Sequence, residues 1–178
     1  PCADAGASAI AGVEWYDGAE GIYDPSTPSL AVALASGMLQ LMRDHLDEAP
    51  LILDTGMAVS TLRWSNDGNI LAVAGTITAA SGAEVSIVQF FAPDGEHLRT
   101  LKVPGSGVTA LSWEGGSLRI ALAVDSYVYF ANMRPDYRWA YCGDDTVVAA
   151  YVDAEHADNR VRWLNTKTSE CSAQAQPR

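Results

Sequence analysis

The stretch that decides the fold is Leu62-Arg63-Trp64-Ser65-Asn66-Asp67-Gly68-Asn69-Ile70-Leu71-Ala72-Val73-Ala74. Leu62 and Trp64 alternate with Arg63, as a strand with one buried face requires. Asn66-Asp67-Gly68 follows with turn chemistry, and Ile70 to Ala74 reads as a second strand of small and branched apolar residues. Working outward, the same order occurs twice more. Val13-Glu14-Trp15 precedes Asp17-Gly18 and the run Leu30 to Leu34, while Leu111-Ser112-Trp113 precedes Gly115-Gly116 and the run Ile120 to Val124. Trp15, Trp64 and Trp113 stand 49 residues apart.

A third strand follows each time, at Met38 to Met42, Val85 to Phe91 and Tyr127 to Ala131. A fourth is expected at Leu51 to Leu53, Leu98 to Lys102 and Tyr137 to Tyr141. Four short strands per unit of roughly 40–50 residues is the pattern of a β-propeller blade. Ala and Gly beside Val and Leu suit second strands covered on both faces, and each Trp would fill the wider gap between blades. A β-sandwich is the competing all-β arrangement, but its strands need not recur in step with the Trp. Leu39 to Leu46 also fits a helical period; Gly37 before it and Pro50 after it bracket a strand and hairpin loop instead.

The fold class is therefore all-β, a partial WD-repeat propeller of about three and a half four-stranded blades. Residues 1–9 read as irregular, 10–166 as the partial propeller, and 167–178 as a polar tail. The expected blades are 10–54, 55–104, 105–144 and an incomplete 145–166, with strands at Thr146 to Tyr151 and Arg160 to Asn165. Blades bury their faces against neighbours, so half a ring is not expected to stand alone. The start, Pro1-Cys2-Ala3-Asp4, has neither an initiator Met nor a basic signal-peptide onset, and reads as internal to a longer chain.

With 48% hydrophobic residues the chain has the means to build a core, which excludes disorder. No apolar run approaches the ~20 residues of a membrane span, so no transmembrane segment is expected. The net charge of −11 argues against nucleic acid, whose phosphates need clustered cations. Cys2, Cys142 and Cys171 form no C-x-x-C pair, and reduced thiols fit better than a disulfide framework.

Candidate chemistry fails on spacing. His45, His97 and His156 have no second His or Cys at ligand distance in sequence, so no metal is expected. Gly105-Ser106-Gly107 is too short for a nucleophile turn and reads as a loop between blades. Ser65-Asn66-Asp67-Gly68 reads as a type I turn. Asp144-Asp145 reads as neighbouring loop carboxylates rather than a glycosidase pair, which needs two carboxylates facing one pocket. No Gly-rich phosphate loop opens a helix, so no nucleotide cofactor is expected. The residues singled out are structural, the blade positions Trp15, Trp64 and Trp113.

Longer strings carry more than the repeat. These are Leu53-Asp54-Thr55-Gly56-Met57, Ile87-Val88-Gln89-Phe90-Phe91 and Gly95 to Gly105. The most specific is Ala110-Leu111-Ser112-Trp113-Glu114-Gly115-Gly116, continuing through Ile120 to Asp125 and Tyr129 to Pro135. Together they resemble the WD-repeat subunits of intraflagellar transport complex A, from about Val13 to Trp163. The loop Thr76 to Glu84 and the tail after Trp163 depart from that pattern. The resemblance implies a non-catalytic scaffold with no cofactor, from a protein with two N-terminal propellers and a helical solenoid. It implies partners among the other complex A subunits and ciliary cargo proteins, and a location at the cilium and basal body, on the cytoplasmic side. A WD-repeat adaptor of a vesicle coat or a ubiquitin ligase is the alternative.

Overall fold

The computed structural model describes residues 8–18, 26–133, 138–153 and 158–176, and every regular element in them is a strand. The chain divides into two compact units, residues 1–132 and 133–178.

The first unit holds three antiparallel sheets. The first runs β1 (Ile10–Trp15), β2 (Leu30–Leu34), β3 (Met38–Met42), β4 (Leu51–Asp54). The second runs β5 (Ala58–Trp64), β6 (Leu71–Thr78), β7 (Glu84–Phe91), β8 (His97–Val103). The third runs β9 (Val108–Trp113), β10 (Arg119–Val124), β11 (Tyr127–Asn132). Each sheet is ordered as its strands follow in sequence, so that every strand after the first pairs antiparallel with the one before it.

Side-chain size explains how the sheets stack. β5 lies between β1 and β9, so the second sheet has a neighbour on both faces. Its second strand is accordingly buried throughout Leu71-Ala72-Val73-Ala74-Gly75, while β2 and β10 alternate. Gly75 is required where it stands, since a Cβ there would run into the backbone oxygen of Ala58. Leu39, Leu41, Leu71, Val73 and Ile87 form one apolar cluster with Trp64. Each fully buried aliphatic contributes about 1.5–3 kcal/mol against exposure.

The stretch Leu39 to Leu46 resolves as strand β3 followed by a loop, not a helix. Asp47 closes the loop by pairing with Arg43 and accepting from the Arg43 and Ala49 amides, while Asp44 accepts from the Leu46 amide. The Arg43 contacts hold the Asp47 carboxyl well below the usual carboxylate range.

The second unit is one antiparallel sheet of β12 (Arg138–Cys142), β13 (Thr146–Asp153), β14 (Asp158–Asn165) and β15 (Cys171–Gln176). Three expectations are corrected here. The strand expected to complete the third blade pairs instead with β13, from Arg138↔Ala150 to Cys142↔Thr146. The physical reason is the tight turn between them, where Gly143 takes a φ of 70° that closes the hairpin. The fourth unit is thus a complete four-stranded sheet rather than a partial one. The polar tail also supplies a strand: β15 pairs with β14 from Asn159↔Gln176 to Leu164↔Cys171. Asn165 makes that reversal, accepting from the amides of Lys167 and Thr168. Its polar composition concealed it, because backbone pairing needs no apolar side chain. Tyr137, the expected first residue of the misassigned strand, lies outside the described residues.

Candidate functional site

β1, β5 and β9 end on Trp15, Trp64 and Trp113, paired across to Leu30, Leu71 and Ile120. Their surroundings differ. Trp64 and Trp113 are 5% and 8% exposed, whereas Trp15 is 54% exposed. Trp113 reaches back to the preceding sheet: its Nε1 donates to the Arg63 carbonyl at 3.3 Å, and its ring meets Phe90 edge-on at 6.1 Å.

The turns that follow these strands are tied side by side. Ser65 is buried, and its Oγ donates to Asp67 Oδ1 at 2.6 Å while accepting from the Ile70 amide at 2.9 Å. Asp67 also accepts from the Asn69 amide and the Asn69 side chain. Burial pushes the Asp67 carboxyl up, but the hydrogen bonds from Ser65 and Asn69 outweigh it and leave it below its ordinary value. From this turn Asn66 Nδ2 donates to the Glu114 carbonyl at 2.6 Å, and the Asp67 amide donates to Ser117 Oγ at 3.2 Å. The second and third sheets are thereby joined at this end by side-chain hydrogen bonds as well as by packing.

Between the first and second sheets the same level is more open. A cavity of about 230 Å³ lies between residues Glu14 to Asp17 and Arg63 to Asn66. Arg63 Nη1 stands 3.5 Å from Glu14 Oε1, and the Tyr16 ring lies against Gly68. Burial pushes the Glu14 carboxyl up, offset in part by Arg63. Tyr16 Oη and Trp64 Nε1 are buried without a hydrogen-bond partner among the described residues. Sequence reasoning missed this arrangement. Its signal was the residue immediately before each repeated Trp, which is Glu14 in one unit and Arg63 in the next.

The other sequence candidates are not brought together. His97 opens β8, with its Nε2 2.8 Å from Thr100 Oγ1 and its ring edge-on to Phe91. His45 is exposed in the β3–β4 loop, and His156 lies outside the described residues. Ser106 Oγ donates to Asp125, tying the β8–β9 connection to the β10–β11 turn, with no histidine in the pair. Asp145 pairs with Lys167 at 2.7 Å. Cys142 and Cys171 are exposed and not disulfide-bonded, and Cys2 lies outside the described residues. Among the described residues no group of three or more His, Cys, Asp or Glu is placed to hold a metal ion. No helix there is long and apolar enough to cross a membrane.

Three successive antiparallel sheets, two of four strands and one of three among the described residues, each with a Trp at the end of its first strand, together with the family match define a WD-repeat β-propeller protein. Residues 2–134 match the family described as WDR35/TULP4 N-terminal, and the chain belongs to that β-propeller family. It is 51% identical over 166 residues to WD repeat-containing protein 35 of Homo sapiens, covering 93% of this chain and 14% of that protein. The Mus musculus protein of the same name is 49% identical over the same share of each chain. Tubby-related protein 4 of Mus musculus is 27% identical over 115 residues, 60% of this chain and 7% of that protein. A solved structure described as the Dos1 propeller aligns with 95% of this chain and 48% of its own, at 12% identity and a TM-score of 0.44. The chain thus spans about one seventh of the length of the WD repeat-containing relatives it matches.

Proposed function

We propose that this chain is part of a scaffold propeller in a subunit of intraflagellar transport complex A. In this reading it supports retrograde ciliary transport and the admission of membrane proteins to cilia through protein–protein contacts, without catalysis. The observation that carries the reading is the 51% identity to WD repeat-containing protein 35 across 93% of the chain. Propellers serve many functions, so the fold adds little by itself. The contribution of the turns is mechanical: Asn66, Asp67 and Trp113 each bond across to the neighbouring sheet, which holds a rim of loops in fixed register. A rigid rim favours docking because little ordering entropy remains to be lost on binding.

The expected partners are the other complex A subunits and ciliary cargo, at the cilium and basal body on the cytoplasmic side. The test is Trp113→Ala in the full-length protein in ciliated cells, with His97→Ala as the control. The expected result is less intact complex and transport material accumulating at ciliary tips for the first variant, and normal cilia for the second. Normal cilia with the Trp113 variant demonstrably unfolded would overturn the reading. So would copurification of the unaltered protein with coat or ubiquitin-ligase subunits in place of complex A.

A further inference from the structure

The hydrogen bonds that join the second and third sheets are not repeated between the first and second. In the later seam two groups at fixed places in the repeat cross over. The Trp113 indole donates to an amide carbonyl, that of Arg63. The carboxamide of Asn66, two residues after Trp64, donates to the Glu114 carbonyl. The earlier seam lacks both. Trp64 is 5% exposed, yet its Nε1 has no hydrogen-bond partner among the described residues, and Tyr16 Oη is likewise buried and unpartnered. Asp17 stands two residues after Trp15, where the next unit has Asn66, and its carboxylate has no N–H to donate. Both orphan donors belong to residues that line the cavity of about 230 Å³, together with Glu14, Trp15, Asp17 and Arg63. A buried donor left without an acceptor costs more than a made bond contributes, so the arrangement calls for an acceptor delivered from outside.

We propose that this cavity is a docking site for a carboxamide side chain, Asn or Gln, carried on a protruding segment of a partner protein. The chemistry of the lining selects that group over others. A carboxamide oxygen offers two lone pairs to the Trp64 and Tyr16 donors, while its NH2 can donate to the carboxylates of the lining, Glu14 and Asp17. Glu14 and Arg63 already face each other at 3.5 Å, so a neutral guest leaves that pair in balance. A carboxylate guest would meet Glu14 and the exposed Asp17 as like charges. A Lys or Arg guest would bring no acceptor and would stand beside the Arg63 guanidinium. The cavity lies at the level of the turns and opens to solvent, so the tip of a loop can enter it. The proposal goes beyond the transport reading, since the same group would be taken whichever assembly the chain serves.

The experiment places the photocrosslinker p-benzoylphenylalanine at Trp15, an aromatic for an aromatic on the cavity wall, in the full-length protein within its assembly. The crosslinked peptide is mapped by mass spectrometry. The expected result is a crosslink to a different protein, beside an Asn or Gln. Replacing that partner residue by Leu, and separately by its acid, should each weaken association at least about tenfold. Tyr16→Phe removes one donor and keeps the ring. It should weaken binding of the unaltered partner and have little effect on the Leu form, because groups that bond directly are coupled. Trp64→Phe should give the same contrast through the second donor, so the test does not hang on the folding of one variant. A crosslink within the same polypeptide, to a small amide, or to nothing would overturn the proposal. So would a captured segment with no Asn or Gln at the crosslink, or one whose Leu and acid forms bind as tightly as the unaltered partner. Equal effects of Tyr16→Phe and Trp64→Phe on the unaltered and Leu partners would overturn it as well.

Discussion

The indole Nε1 of Trp113 donates to the backbone carbonyl of Arg63, one residue before Trp64 and in the neighbouring sheet. The repeated Trp therefore reads the backbone one residue ahead of its own counterpart in the preceding unit. The bond does two things at once: it satisfies a buried donor and sets how the third sheet is seated on the second.

Truncating Trp113 to Ala should cost about 3–5 kcal/mol, since it removes a buried aromatic and leaves a void beside Phe90. Trp113→Phe keeps most of the apolar contact and loses the hydrogen bond, so its cost should be smaller by at least about 1 kcal/mol. Denaturant unfolding of the full-length protein, read through exchange of β9 and β10 amides, measures both. Equal costs for the two variants would mean that the ring contributes nothing beyond its donor.

Asp67 anchors the β5–β6 turn through three accepted hydrogen bonds, and Asp67→Ala should destabilise the second sheet by about 1–3 kcal/mol at neutral pH. Its carboxyl lies below 3.8 in the fold, so the fold binds that proton less readily than the unfolded chain does. The stabilisation is present above 3.8 and disappears as pH falls through the lowered titration. The gap between variant and unaltered protein should therefore narrow in acid, and a gap of constant size would contradict the assigned role.

Glu14 carries the opposite sign. Its carboxyl lies above 4.5, so the fold holds that proton more tightly than the unfolded chain and loses stability as pH rises through the raised titration. Glu14→Gln should flatten that part of the pH profile. The ion pair with Arg63 is partly exposed, and its coupling in a double-mutant cycle should come to about 0–1 kcal/mol.

Gly75→Ala tests the spacing of strands β5 and β6. The added methyl would strike the Ala58 carbonyl, a backbone atom that moves only with its strand. The expected loss is about 1–3 kcal/mol, against a gain of up to ~1 kcal/mol wherever a glycine is merely flexible. Thermal unfolding of both forms decides the sign.

Much of the fold could be read before any coordinates, because the repeat placed Leu62, Trp64 and Asp67 in a frame that recurred around Trp15 and Trp113. What stayed hidden was hidden for identifiable reasons. β15 is polar and its pairing runs through backbone groups. β12 carries the alternation of a strand but nothing in that alternation names its partner; Gly143 and its hairpin do. The Glu14–Arg63 arrangement joins residues 49 positions apart, visible only once two repeats are laid over each other.

The fully buried run Leu71 to Gly75 has a further consequence for how such a chain changes over generations. Ala72 and Ala74 have no exposed surface and sit in the sheet that is enclosed from both sides. A bulkier side chain at either site has no solvent to escape into, and a smaller one is hardly available. Replacement there becomes tolerable only when a residue on the adjoining sheet shrinks in the same lineage. These sites should therefore drift in pairs, with the summed volume of each pair held nearly constant.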